Sequence, residues 1–292
     1  MGPKIGARLI VASYRQRNDR KTGDREKGPR REERPRAAGS PEHAAGAGHR
    51  RRLEEIQTEW LWGWHAVVAA LENPDRAPVK RLVATADRAK TLAERFGGAH
   101  PVDILESAAI AQLVPQGAVH QGIALRIPLI EPLALEDLAQ PARGVILMLD
   151  QITDPQNVGA IFRSAAAFGA RGVIVQDRHA PALCGALAKA AAGAVDKIPH
   201  ARETNLSRAL ERLEALGWRA VGLDGAAPDN LDAVLDGSPT VLVMGSEGEG
   251  LRRLVREHCD ALARIPMPGG FESLNVSAAA AVALYEASRP RG

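Results

Sequence analysis

Three short runs of almost unbroken apolar residues set the strongest limit on what this chain can become: GVILMLD (144–150), GVIVQ (172–176) and TVLVMG (240–245). A strand with one face in water alternates apolar and polar side chains, whereas these runs do not, so both of their faces must be covered. Amphipathic or Ala-rich segments separate the runs: Asn157 to Gly169, Pro181 to Gly193, Leu206 to Leu216, Leu251 to His258 and Leu274 to Ser288. KIPH, WRAVGLD and ALARIP supply further short strands. Regular alternation of this kind predicts an open, mainly parallel α/β sheet with helices on both sides. Ligands of such sheets sit beyond the carboxyl ends of the strands.

Three polar stretches fall at those ends: DQITDPQNVGAIFRS (150–164), the GSEGEG turn after TVLVMG, and IPMPGGFESLNVS (265–277). The last turns through Pro266, Pro268, Gly269 and Gly270 and offers Ser273, Asn275 and Ser277 just before a helix. Asn157 is placed to cap the helix that follows Asp154-Pro155, and Gly159 permits a close backbone approach. Arg163 lies six residues on, less than two helical turns, so it need not share a face with Asn157. Taken singly, an N-cap and a surface ion pair account for Asn157 and Arg163. GSEGEG lacks the Lys-Ser/Thr ending of a phosphate loop, and no GxGxxG fits there. Glu247 and Glu249 have no His or Asp companions in sequence, so a metal is not expected.

Ahead of the sheet, GWHAVVAAL is helical from Ala66 to Leu71, VKRLVAT is a strand, ADRAKTLAERFGG is a helix closed by glycine, and a short helix lies around 108–113 before GAVHQGIALRIP. His65 and His120, the latter followed by Gln121, stand beside glycines, which suits exposed turns near a ligand, with ordinary surface or capping histidines as the alternative. Leu129 to Arg143, with two prolines and several acids, reads as a linker. The expected organisation is a basic tail (1–57), a small α/β domain (58–128), a linker (129–141) and the parallel-sheet domain (142–292).

The charge is unevenly spread. Residues 1–52 hold 15 Lys and Arg against 6 Asp and Glu, a balance of +9, in a chain whose total is +3, so the remainder carries −6. Without apolar periodicity the tail is expected to be disordered. Its Arg50, Arg51 and Arg52 would attract phosphates without reading sequence, or serve only to solubilise. Two cysteines are too few for a disulfide framework, and no run is long enough to span a bilayer, which points to a cytoplasmic protein.

NVGAIFRS, VLVMGSEGEGL and IPMPGGFESLNVSAAAAVALYEA together resemble, in order, the three signature motifs of the SpoU, or TrmH-like, branch of the SPOUT RNA methyltransferases. GWHAVVAAL and GAVHQGIALRI resemble the L30e-like RNA-binding domain that precedes the catalytic domain in RlmB-type 23S rRNA guanosine-2'-O-methyltransferases, which implies RNA contacts at His65, His120 and Gln121. The resemblance implies a C-terminal trefoil knot, a homodimer, and S-adenosylmethionine bound by Gly245, Ile265 and Leu274 with Met244, Met267 and Ser277 nearby. It implies catalytic roles for Asn157, Arg163, Glu247, Ser273 and Asn275 and needs no metal. Around Gly270, Phe271 and Glu272 the chain departs from the RlmB pattern, which leaves the RNA target open. A tRNA ribose methyltransferase of the same branch and a non-catalytic RNA-binding protein of ribosome assembly are the competing readings.

Overall fold

The computed structural model describes residues 60–76, 78–270 and 273–289; Arg50, Arg51 and Arg52, with the rest of the basic tail, lie outside them. In the N-terminal module, β1 (Trp60–Trp62), α1 (Trp64–Glu72), β2 (Arg81–Ala84), α2 (Ala86–Phe96), β3 (Asp103–Ile104), α3 (Ser107–Ala111) and β4 (Ile123–Arg126) follow in order. The sheet order is β1-β4-β2-β3, with β4 antiparallel to β1 and β2, and β3 parallel to β2. Trp60–Trp62 forms a buried strand that helical spacing had not revealed, because Gly63, at φ 87°, turns the chain before the helix begins. Gly97 closes α2 in the left-handed conformation and donates its N–H to the carbonyl of Ala93, as the Gly-Gly pair predicts.

The segment read as a linker contains α4 (Leu135–Ala139), whose Leu135, Leu138 and Ala139 are buried against Ile146 and Met148. The indole of Trp218 donates to the carbonyl of Ala139 at 2.9 Å. One and a half turns are too short to register as helical periodicity, so this docking escapes a reading of sequence alone.

The second sheet carries β5 (Val145–Leu149), β6 (Gly172–Gln176), β7 (His200–Glu203), β8 (Arg219–Leu223), β9 (Thr240–Met244) and β10 (Ala261–Ala263), all parallel, in the order β10-β8-β9-β5-β6-β7. Its helices are α5 (Pro155–Ala167), α6 (Gly185–Ala191), α7 (Leu206–Ala215), α8 (Leu231–Val234), α9 (Arg253–Glu257) and α10 (Val276–Ser288), with a 3-10 turn at Ala194–Asp196. Alternate residues of the apolar runs feed two cores. Leu147, Leu149, Val173, Val175, Leu242 and Met244 pack on the α5 and α10 side, while Ile146, Met148, Ile174, Val241 and Val243 pack on the α4 and α7 side. Both faces of the three runs are therefore covered, which accounts for their lack of polar alternation. KIPH is not itself a strand: β7 starts at its last residue, His200.

The N-terminal module docks on α6. Cys184 and Ala188 share a buried cluster with Leu61, Val67, Leu82 and Leu125. Arg76 and Asp196 form an ion pair at 2.6 Å with side chains only 3% and 2% exposed. No helix of the described residues is long and apolar enough to cross a membrane.

His200 is buried, and desolvation, helped by the charges of Arg202 and Arg76, lowers its pKa from 6.5 to about 4. A histidine with a depressed folded pKa binds fewer protons in the folded than in the unfolded chain between those values, so stability falls as pH drops through that window. Acidification from pH 7 to pH 5 is expected to cost about 2 kcal/mol through this group. Urea melts at the two pH values check this, and a His200→Gln chain should lose most of that pH dependence.

Candidate active site

Three loops at the carboxyl ends of β5, β9 and β10 are drawn together by short polar contacts. Asp150, fully buried at the end of β5, accepts hydrogen bonds from the backbone N–H of Arg252 at 3.0 Å and from its Nε at 2.6 Å. The Asp150 N–H in turn donates to the carbonyl of Met244 at 2.8 Å. The loop after β5 is thereby fixed to the segment that follows β9.

At the start of α5 the cap is Asp154, not Asn157. Its carboxylate accepts from the N–H groups of Gln156 and Asn157, both at 3.2 Å, and Pro155 occupies the first helical turn. A carboxylate one residue before a helical proline is the stronger capping arrangement, and it frees the Asn157 amide for other work. Asn157 Nδ2 donates to Glu247 Oε1 at 3.1 Å. Asn275 Nδ2 donates to the same oxygen at 2.9 Å and to Asn157 Oδ1 at 3.0 Å. The N–H of Val276 is the third donor to Glu247 Oε1, at 3.3 Å. One carboxylate oxygen thus gathers residues 90 and 28 positions away in sequence, together with the first turn of α10. Asn275 also caps α10, its Oδ1 accepting from Ser277 N at 2.9 Å and Ser277 Oγ at 2.6 Å.

Beside this cluster lies a cavity of about 600 Å³. Of the residues expected to bind a cofactor, Met244, Gly245, Ile265, Met267 and Leu274 line it, joined by Glu247, Ser273 and Asn275. Ser277 reaches the cavity only through Asn275. Leu223, Asp224 and Gly225 complete the wall, and Asp224 is paired with Arg256 at 2.5 Å. These three went unnoticed in the sequence, although WRAVGLD ends a strand and the rule of carboxyl-end sites applies to it equally. Apolar Met244, Ile265 and Leu274 beside acidic Glu247 and Glu249, with Asp224 balanced by Arg256 in the same wall, suit a ligand with a flat apolar part and a positive charge.

Gly245 is required by close approach. A Cβ there would overlap the backbone of Gly250 and Leu251, across a loop closed by reciprocal bonds between Ser246 and Gly250 at 3.1 and 3.0 Å. Gly245→Ala is expected to open the loop at a cost of about 1–3 kcal/mol. Hydrogen exchange should show faster exchange of the Ser246 and Gly250 amides, with the sheet amides unchanged.

Arg163 is not brought into this cluster. It sits near the middle of α5, exposed, with no hydrogen bond or ion pair among the described residues. Ser273 is exposed on the cavity rim. His65 is exposed; His120 accepts the N–H of Gly122 on Nδ1 at 3.1 Å and so shapes its own turn. Gln121 is committed to the join between modules, its Oε1 accepting from Trp64 N at 3.0 Å and from Lys189 Nζ at 2.6 Å. Its structural use counts against a free role in RNA binding.

The sequence profile of the SpoU rRNA methylase family matches residues 144–285, and that of RNA 2'-O ribose methyltransferase substrate binding matches residues 60–133. The chain is 39% identical over 243 residues to an uncharacterized tRNA/rRNA methyltransferase of Mycobacterium sp. (strain KMS), covering 80% of this chain and 77% of that one. It is also 39% identical to the 23S rRNA (guanosine-2'-O-)-methyltransferase RlmB of Xylella fastidiosa, covering 80% of this chain and 98% of the relative. Among solved structures, the AdoMet-bound rRNA methyltransferase of Sinorhizobium meliloti superposes with a TM-score of 0.67 at 26% identity, covering 82% of this chain and 89% of that one.

Proposed function

Given that the chain belongs to the SpoU rRNA methylase family and is an S-adenosylmethionine-dependent RNA methyltransferase, we propose that it methylates the ribose 2'-hydroxyl of a guanosine in 23S rRNA. The observation that carries the reading is the convergence of Asn157, Asn275 and the first turn of α10 on one oxygen of Glu247 at the rim of the 600 Å³ cavity. The name of the Xylella relative supports guanosine and 23S rRNA as the target.

The cavity's apolar wall and its carboxylates suit the adenine and the positive charges of S-adenosylmethionine: Met244, Ile265, Met267 and Leu274 would hold the ring system, and the backbone around Gly245 would offer hydrogen bonds. Bound there, the cofactor supplies a sulfonium methyl already activated for transfer. The chain's part is then to align the 2'-hydroxyl and to stabilise charge as its proton leaves. Glu247, Asn157 and Asn275 hold the three loops at one separation, so that the rim is formed before the RNA arrives. Arg163 supplies a permanent cation for a substrate phosphate and the developing oxyanion; without a partner among the described residues, its guanidinium is available. Ser277 steadies the last loop through Asn275, and Ser273 stands on the cavity rim within reach of cofactor or ribose.

The remaining parts of the reading are structural. The small module is taken as an L30e-like RNA-binding domain over 58–128, ahead of a catalytic domain over 142–292. The return of α10 from edge strand β10 to pack over central β5 and β9 supports a C-terminal trefoil knot. Val282 and Tyr285, exposed on α10, support a homodimer formed through that helix.

Labelled methyl transfer from S-adenosylmethionine to separated rRNA and tRNA, followed by mapping of the modified ribose, tests the proposal. Label confined to a 23S guanosine 2'-oxygen is expected; label in tRNA alone would favour the tRNA ribose methyltransferase of the same branch.

A further inference from the structure

A second cavity, of about 720 Å³, opens where the two modules meet, and nothing in the proposed chemistry uses it. One wall comes from the N-terminal module: Trp62 and residues 115–119. The opposite wall comes from the start of α5 and from residues 181–189. Pro155 and Gln156, the two residues before Asn157, belong to it, so the cleft adjoins the polar cluster along the chain itself.

We propose that this cleft holds a nucleotide of the RNA next to the one that is methylated, and so contributes to target choice. The inference rests on the reading that the chain modifies RNA. Three observations carry it. The volume lies within the ~300–1,000 Å³ of ordinary ligand pockets, enough for one unstacked nucleotide. Among the described residues the lining contains no carboxylate and one cation, Lys189, a balance that admits a polyanion. Its accessible surfaces pair apolar faces with amides: Pro115 and Val119, the last 68% exposed at the mouth, stand beside the exposed side chains of Gln116 and Gln156, while Trp62 is buried and closes the floor. Single-stranded RNA is read in this manner, with a base laid on apolar or aromatic surface and its edge met by hydrogen-bonding groups. Lys189 is held at the wall by its 2.6 Å bond to Gln121 Oε1, which occupies one of three ammonium donors and leaves the others for a phosphate.

The test uses two altered full-length chains. Ala186→Trp places an indole in the cleft from an exposed lining position on α6, and a Gln116→Ala, Gln156→Ala chain removes the two amides without adding bulk. Methyl transfer to 23S rRNA fragments, S-adenosylmethionine binding by calorimetry, and RNA binding by fluorescence anisotropy are measured for each beside the unaltered protein. Both chains are expected to raise the KM for RNA about tenfold, with kcat and cofactor affinity changed less than twofold. Unchanged KM and unchanged RNA affinity in both chains would overturn the cleft assignment, as would an Ala186→Trp chain altered only in its sedimentation, which would mean that a second copy of the protein covers the cleft. If Ala186→Trp does not fold, the amide-deleted chain decides alone. Should the unaltered protein bind RNA without methylating any, the reading of its activity fails; weaker anisotropy binding by the altered chains then still supports the cleft as an RNA site.

Discussion

Arg163→Ala is expected to lower the rate of methyl transfer by about 10²–10³-fold, the range seen when one group stabilising a developing oxyanion is removed. Affinity for S-adenosylmethionine should stay within about twofold, because Arg163 does not line the 600 Å³ cavity. The protein's melting temperature should also hold, since the side chain is exposed and has no partner among the described residues whose loss would be felt. Arg163→Lys restores the charge but not the planar fork, so partial recovery would separate charge from bidentate geometry. Turnover close to that of the unaltered protein would remove Arg163 from the chemistry and leave it a solvated helix residue.

The second large effect concerns the join between the modules. Asp196→Ala is expected to destabilise the fold by about 3–5 kcal/mol, because it leaves a guanidinium buried without its counter-charge. Arg76 reaches Asp196 through Nε at 2.6 Å and Nη2 at 3.3 Å, and Asn73 Nδ2 donates to the same carboxylate at 3.3 Å. After the substitution, the contact of Arg76 Nη1 with the Pro128 carbonyl, at 2.7 Å, is what remains for the charge. Denaturant melts should show the loss, and an Arg76→Met, Asp196→Leu chain should recover much of it, since removing both charges removes the unpaired ion as well. If the single substitution cost less than about 1 kcal/mol, water would have to reach the pair, and the modules would be less firmly joined than their packing implies.

Much of the fold could be read from residue order because its cause is local. The runs at 145–149, 172–176 and 240–244 lack polar alternation, and that alone requires a sheet covered on both faces. Gly97 after an amphipathic helix marks its boundary through backbone conformation, whereas the last helix, expected from Leu274, starts at Val276 because Asn275 caps it. Errors fall where a competing local signal was stronger or where an element was too short. Asp154 took the cap assigned to Asn157, since an acid just before a helical proline satisfies two amides at once. The strand at 60–62 and the helix at 135–139 offer too few residues for a period to be counted, and their burial is decided by partners far away in the chain.

The candidate site divides along the same line. By itself the sequence determined the polar residues available, their order, and their position at strand ends, because strand and turn chemistry act over a few neighbours. Only the tertiary structure decided that Asn157, Glu247 and Asn275 meet at one oxygen, that Arg163 stands apart from them, that Gln121 braces the module join, and that Asp224 shares the cavity wall. Those facts depend on which strands lie side by side in the order β10-β8-β9-β5-β6-β7, and therefore on contacts spanning tens of residues. The physical reason is that a side chain's local preferences fix the direction in which it leaves the backbone, while its partner is fixed by the packing of the whole sheet.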